Sequence, residues 1–291
     1  MKKGWWNARM NVLITGAKGF LGKHLTSYLV EKHNLFLTAR IKDDDKVDYL
    51  DLEDFDSVES YIEEQKVNSI EAVIHTAGSL INGDMSQEEQ MKVFEDNITI
   101  TRNIVELVQK LNVKVLVNCS SMAVYPNIDG EFDERSEIRM SCNSECLYGL
   151  SKFCSENIFE YTLSNCCRVI SLRLAQVYGE GMREDRFPFI IKQSIIEDNR
   201  VEIFGNGERI SNFVSVERVC EEIDKIIRFE DVSGIYNMGG ENISYLKFAK
   251  YMKTKYGNSN TQIILKNSGS KAKFYLNTEK LEKLWKQKVN F

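Results

Sequence analysis

Apolar positions along the chain switch repeatedly between two periods. NVLIT (11–15) is a short apolar run that predicts a strand, and Leu21, Leu25, Tyr28 and Leu29 then recur at helical spacing. LFLTA (35–39) predicts a second strand, and Phe55, Val58, Tyr61 and Ile62 form one face of a helix. AVIH (72–75) predicts a third strand. A long helix is predicted over roughly 88–111, with Phe94, Ile98, Thr101, Val105 and Val108 on one side. VLVN (115–118), a helix over about 148–164 and VISLRL (169–174) complete the series. Apolar strands alternating with amphipathic helices imply an α/β, doubly wound parallel sheet covered on both faces. Ligands of such sheets bind outside the carboxyl ends of the strands, near the switch point.

After about residue 176 the alternation loosens. SGIYNMGG (233–240) reads as a returning strand, while 177–211 and 241–291 hold helices and short strands without a second set of the same units. The expected division is a ligand-binding unit over 10–176, rejoined by a return strand within about 212–240, and a smaller C-terminal lobe, mainly 177–291, closing over the strand ends. Only two prolines occur and no linker-like tract separates the parts, so the two lobes are expected to pack closely.

At 291 residues and 43% apolar content the chain is long enough for a substantial core. A net charge of −5 argues against a general nucleic-acid footprint. No apolar run approaches the roughly 18 residues of a membrane span. MKKGWWNARM lacks the apolar core of a signal peptide, so residues 1–9 read as an extension whose Trp5 and Trp6 pack on the surface or against a partner. Seven cysteines without an export signal imply a reducing, cytoplasmic setting. Neither Cys142/Cys146 nor Cys166/Cys167 has zinc spacing, and no metal is expected.

Candidate chemistry begins at TGAKGFLGKH (15–24). A P-loop reading fails, because five positions beyond Gly16 lies Leu21, and His24 stands where Ser or Thr would ligate magnesium. A dinucleotide turn remains, with Gly16, Gly19 and Gly22 bracketing Phe20 and Leu21: one glycine for the tight turn, one for backbone approach to pyrophosphate, one for helix–strand packing. The helix N-terminus behind it offers N–H groups and a positive dipole end. The second signal is YGLSK, which puts Tyr148 and Lys152 on one helix face. A nearby ammonium lowers a phenol from its reference pKa of about 10; reaching neutrality takes roughly three units, or about 4 kcal/mol. A phenol so tuned exchanges a proton with an alcohol while hydride moves at the carbon. The third signal is NCSSMAVY (118–125), where Ser121 at a strand end is placed to hold the reacting oxygen.

Taken in order, these three signals resemble the short-chain dehydrogenase/reductase family, a Rossmann fold. The rest of the chain, from about Met10 to Trp285, looks like its extended branch of nucleotide-sugar epimerases, dehydratases and reductases. The resemblance implies NAD(H) or NADP(H) as cofactor, a nucleotide-sugar substrate, a catalytic set of Ser121, Tyr148 and Lys152, and a homodimer built on the 88–111 helix and the helix carrying Tyr148. HTAG (75–78) matches the third-strand turn along the cofactor (Thr76, Ala77, Gly78), and Asp51–Leu52 matches the pair at adenine. Asn97 matches an asparagine steadying the fourth strand. LRLAQVYGEG (172–181), FGNGERISNFVSVERV (204–219) and YNMGG (236–240) match later motifs.

Departures carry information too. Gln176 replaces the usual Asn at the nucleotide-sugar site. Ser211 replaces a diphosphate-gripping Arg, and a hydroxyl cannot supply that charge; Arg209, Arg183 or Arg186 could reach instead, or be solvated surface charges. Met122 and Ala123 stand where 4,6-dehydratases carry Asp-Glu, so epimerase, ketoreductase or dehydrogenase chemistry remains. Met122, Gln176, Arg209 and Ser211 are the candidate substrate contacts. Arg40, ending the second strand, favours the 2′-phosphate of NADP(H), although Asp43, Asp44 and Asp45 follow and NAD(H) stays open. A binding or scaffold protein without turnover is the alternative from another class.

Overall fold

The computed structural model describes residues 9–41, 45–83, 85–140 and 145–289. Trp5, Trp6, Asp43, Asp44 and Cys142, named above, lie outside the described residues. The described chain runs β1 (Asn11–Thr15), α1 (Phe20–Leu29), β2 (Asn34–Ala39), β3 (Asp48–Tyr49), α2 (Phe55–Gln65), β4 (Ala72–His75), α3 (Gln87–Lys110), β5 (Val115–Ser121), β6 (Gly130–Phe132), α4 (Cys146–Leu163) and β7 (Arg168–Leu174). It continues through β8 (Gln176–Tyr178), α5 (Phe187–Asp198), β9 (Arg200–Ile203), β10 (Ile210–Ser215), α6 (Val216–Arg228), β11 (Gly234–Met238), β12 (Glu241–Ser244), α7 (Tyr245–Tyr256), β13 (Gln262–Leu265), β14 (Phe274–Leu276) and α8 (Glu279–Val289).

Seven strands form one sheet in the order β11-β7-β5-β4-β1-β2-β3, every neighbouring pair parallel. The strand order reverses between β1 and β4, which opens a crevice at their carboxyl ends. Leu13, Val73, Leu116 and Val169 face the layer of α2, α3 and α4. Val12, Ile14, Ile74, Val117, Ile170 and Leu172 face α1 and α6 on the other side. Burial on both faces is why these strands read as continuous apolar runs rather than alternating ones.

Helix α3 buries Thr101 and Val108 of the expected face, whereas Phe94, Ile98 and Val105 are half-buried and Val93, Asn97, Ile100, Asn103, Ile104 and Leu107 also go inward. Three of the buried side chains are polar. Asn97 donates to Ser151 Oγ at 3.0 Å and to the Ser79 carbonyl, Thr101 bonds Ser155 at 2.6 Å, and Asn103 donates to the Leu52 carbonyl. Asn97 and Asn103 look solvent-facing in a hydropathy pattern, yet they and Thr101 hydrogen-bond across to α4 and to the loops after β3 and β4, although Asn103 Oδ1 finds no partner among the described residues.

Beyond β7 the chain leaves and re-enters the large sheet. Strands β8, β10 and β12 form a small sheet, β9 pairs with β13, and β6 pairs with β14. A separate core of Ile191, Ile195, Val201, Ile203, Phe213, Phe248 and Met252 joins β9 and β10 to α5 and α7, whereas Phe132 of β6 and Phe274 and Leu276 of β14 belong to the main core. Helix α6 returns to pack beside α1, β11 joins β7 at the sheet edge, and α8 lies against β11, with Leu281 in the main core. Among the described residues the cysteines are free, and no helix is long and apolar enough to cross a membrane.

The first βα turn depends on close backbone contact. Gly16 leaves β1 with φ +71°, and a Cβ there would meet the Ala77 nitrogen at 2.9 Å. A Cβ on Gly22 would collide with the Gly16 carbonyl oxygen and the Ala17 backbone, while one on Gly19 would meet only that oxygen, at 3.2 Å. Gly22→Ala is therefore expected to destabilise the protein by about 1–3 kcal/mol through overpacking. Gly19→Ala, at the helix cap, should cost less than about 1 kcal/mol. Thermal denaturation of the two variants checks the order; equal midpoints would remove the packing role assigned to Gly22.

Candidate active site

A cavity of about 400 Å³ occupies the crevice at the carboxyl ends of β1 and β4. Gly16, Gly19, Phe20, Leu21 and Gly22 form its floor at the start of α1, and Thr76, Ala77 and Gly78 follow β4. Asp51, Leu52 and Arg40 line the end nearest β2 and β3. All eleven residues singled out for the cofactor thus line one cavity, with Tyr148 and Lys152. Thr76 donates to the Thr15 carbonyl at 2.6 Å, locking the β4 turn to the β1 turn. Arg40 pairs with Glu53 at 2.6 Å on the rim, a partner thirteen residues away that the sequence did not reveal. Lys18 lines the same end and donates to the Ile41 carbonyl.

A second cavity, about 380 Å³, adjoins the first. Ser121, Tyr148, Phe20, Leu80, Ala175, Val177 and Arg183 line both, so they are the shared wall. Met122, Gln176, Arg209 and Ser211 line the second cavity together with Arg186. Ser211 is buried, and its hydroxyl accepts from Gln176 at 2.8 Å. Arg209 lies over the Tyr245 ring, 5.0 Å from its centroid, and Tyr245 stacks on Phe187 at 4.0 Å. Arg186 pairs with Glu145 at 2.8 Å, while Arg183 holds Asp185 and the Ile81 carbonyl. Three guanidinium groups therefore ring the second cavity.

Two local features bring Ser121 and Tyr148 together. Ser121 ends β5 and caps a single helical turn over Met122–Val124, accepting from the Ala123 N–H at 3.1 Å. Gly149 lets the first turn of α4 lie directly on that turn, since a Cβ would collide with the Ala123 carbonyl oxygen. Tyr148 and Ser121 then line the wall between the two cavities, the serine hydroxyl near enough to act on the phenol. Burial and the Glu145 carboxylate push the Tyr148 phenol up to about 12, against Arg186, Ser121 and Arg183, which pull it down. This differs from the expectation that Lys152 would lower it. The ammonium lies 5.8 Å from the Tyr148 ring centroid and is itself pushed down by burial. It points instead past the tyrosine towards Gly78, whose Cβ, if present, would be 3.3 Å from Nζ.

Sequence reasoning passed over Gly149, Phe187 and Tyr245. The glycine inside YGLSK was the available signal for the first; nothing local marks the two aromatics, which meet from α5 and α7. Cys119 also lines the first cavity, but burial pushes its thiol up to about 12 and leaves it protonated. Among the described residues no group of His, Cys, Asp or Glu side chains could hold a metal ion.

Asp54, Ser86, Ser215 and Ser244 cap α2, α3, α6 and α7 with their side chains, and Tyr245 at the start of α7 lines the second cavity. Helices α1, α4 and α5 have no side-chain cap, and Phe20, Glu145 and Phe187 at their starts line the cavities. Uncapped N-termini present N–H groups and a positive dipole end, the features that suit anions.

Comparison with known proteins agrees with this arrangement. Residues 12–239 match the model of the NAD dependent epimerase/dehydratase family. The chain is 26% identical, over 82% of its length, to a dTDP-D-glucose 4,6-dehydratase of Dictyostelium discoideum, of which it spans only 60%. It is 26% identical to the dTDP-4-dehydro-6-deoxyglucose reductase of Escherichia coli, covering 86% of this chain and 83% of that one. The fold is shared with the UDP-N-acetylglucosamine 4-epimerase of Bacillus cereus, at a TM-score of 0.78, 20% identity and coverage of 95% and 93%. With most of its length, glycine turn included, inside that match, the chain belongs to the NAD dependent epimerase/dehydratase family.

Proposed function

We propose that this protein is a nicotinamide-dependent nucleotide-sugar oxidoreductase, an epimerase or 4-ketoreductase acting at a sugar carbon. One observation carries the reading: Ser121 and Tyr148 stand together in the wall shared by two adjoining cavities. The first cavity suits a dinucleotide, because a glycine floor that side chains would fill meets an uncapped helix N-terminus. The bound nicotinamide would supply or accept hydride. Ser121 would hold the reacting oxygen, Tyr148 would exchange a proton with it, and the Lys152 ammonium would hold the ribose beside the ring. A phenol pushed up to about 12 is protonated at neutral pH, so it stands ready to donate in the reductive direction. Met122 and Ala123 line the second cavity and cannot move protons, which speaks against 4,6-dehydration.

The second cavity suits a nucleoside diphosphate sugar. Arg183 and Arg186 carry carboxylate partners, whereas Arg209 has no ion-pair partner among the described residues and faces the cavity beside an aromatic stack. Arg209 would take the diphosphate charge that Ser211 cannot. Relatives named as a reductase and an epimerase are consistent with both reaction types.

For the cofactor, solved structures of similar fold contain NAD. In this chain Arg40 and Lys18 stand at the β2 end of the cavity, and the proposal is that they favour the 2′-phosphate of NADP(H). Glu53 opposes that preference by neutralising Arg40.

Three measurements test these assignments. Tyr148→Phe should lower turnover by about 10²–10⁴-fold while cofactor binding, followed by NADPH fluorescence, stays near wild type; near-normal turnover on a nucleotide-sugar panel would remove Tyr148 from the reaction. Arg40→Ala should narrow the NADPH-over-NADH affinity ratio about tenfold or more, and Glu53→Gln should widen it; an unchanged ratio in both would return the choice to NAD(H). Arg209→Ala should raise KM for the nucleotide sugar about 10–100-fold with kcat preserved, an effect absent if Arg209 is a solvated surface charge.

A further inference from the structure

Beneath the Ser121–Tyr148 contact runs a row of buried polar groups that the proposed chemistry does not use. Ser120, Arg173 and Asn237 stand in register on β5, β7 and β11, all at most 3% exposed. Arg173 grips Glu156 of α4 from two nitrogens: Nε at 3.0 and 3.2 Å and Nη2 at 2.7 Å. The Ser120 hydroxyl donates to the same carboxylate. The remaining arm of Arg173 donates to the Tyr125 hydroxyl at 2.8 Å, and Tyr125 donates to Asn237 at 2.8 Å. A buried ion pair of this kind contributes little stability that apolar packing could not supply. Its placement is the informative part.

Tyr148, Lys152 and Glu156 follow one another at four-residue spacing on the same buried face of α4. Glu156 is the next rung below Lys152 and is tied to strands β5 and β7 at the residues just before and beside Ser121. Lys152 is 7% exposed, and burial acts to remove its proton. The groups around it come from four elements. Cys119 on β5 is a neutral thiol and His75 on β4, pushed down to about 3 by burial and by Lys152, is a neutral ring. Gly78 after β4 adds backbone, and Asn97 of α3 meets the same glycine with an uncharged amide. Tyr148 on α4 is a protonated phenol. Glu156 is the carboxylate in this set, and its charge acts to keep the lysine protonated.

We propose that Glu156, fixed by Arg173 and Ser120, is a positioning residue that holds Lys152 as an ammonium and sets the height of α4, so that Tyr148 stays on Ser121. The charge part of this inference rests on the four-residue spacing of Lys152 and Glu156 on one face of α4 and on the burial of both; only its kinetic consequence rests on the function proposed above.

The test uses Glu156→Gln, which keeps the shape, and the double variant Glu156→Gln/Arg173→Met, which also removes the unpaired guanidinium should the single variant fail to fold. Lys152 lines the first cavity, which gives a small acylating reagent a route to it. Competitive acetylation with acetic anhydride across a pH series, read peptide by peptide by mass spectrometry, reports its protonation. The variants should become reactive at lower pH, by about one pH unit or more, with circular dichroism showing a native fold. Glu156→Asp, which keeps the charge, should restore most of the wild-type labelling profile. With substrate, the basic limb of kcat/KM should move to lower pH in the same variants. A folded Glu156→Gln or double variant whose Lys152 labelling profile matches wild type would overturn the proposal. Because labelling needs no substrate, failure to turn over any nucleotide sugar would count against the functional reading and leave this one to its own result.

Discussion

Helix α4 has to reach the end of β5 at a fixed height, and the rest of the site follows from that. Two contacts impose the height. At the first turn, Gly149 allows helix backbone to lie on the Ala123 carbonyl, a distance that any side chain would prevent. Two turns later the Arg173–Glu156 pair anchors the same helix to β7, with Ser120 holding the carboxylate from β5. Tyr148 lies beside the steric constraint, one residue before Gly149, and two turns from the electrostatic one. Neither alone would suffice, because a helix pinned at one end can still rotate a side chain out of hydrogen-bond reach.

The distribution of helix caps shows a related economy. In α2, α3, α6 and α7 a serine or aspartate satisfies the first N–H groups, in α7 although its Tyr245 lines the second cavity. In α1, α4 and α5, which also start beside the cavities, no side chain does so. Leaving out a cap costs about 1 kcal/mol of helix stability. In exchange the wall carries positive potential without any titratable group, so it keeps that potential at every pH. The guanidinium groups around the second cavity add to it, and Glu145 and Asp185 keep two of them in fixed orientation.

The large sheet was legible in the sequence because strands buried on both faces must be apolar throughout, and the glycine turn was legible because backbone contact leaves glycine as the only residue that fits. The cofactor-side residues collected into one cavity for the same reason: they occupy the ends of adjacent strands. The inward face of α3 was only partly legible: Thr101 and Val108 are buried as expected, but Asn97 and Asn103, which are polar, are buried with them. The partners of the three polar side chains, Ser151, Ser155 and the Leu52 carbonyl, are some fifty residues away along the chain. The C-terminal lobe stayed illegible for a similar reason. Its strands are as short as three residues, and β6 pairs with β14, more than 140 residues further on. The charge environment of Tyr148 also escaped local reading, because it is set by Arg186, Arg183 and Glu145 as well as by burial.

The path of the chain between its two parts has a mechanical consequence. It leaves the large sheet after β7, returns from β10 into α6, leaves again after β11, and comes back through β14 into α8. Strand β6 is already paired with β14 before any of these crossings. Several separate strands of backbone therefore connect the two bodies, and no single bend can swing one from the other. A hinge between them would have to bend all of these connections at once, so the topology favours small sliding shifts of packed elements over a single swing.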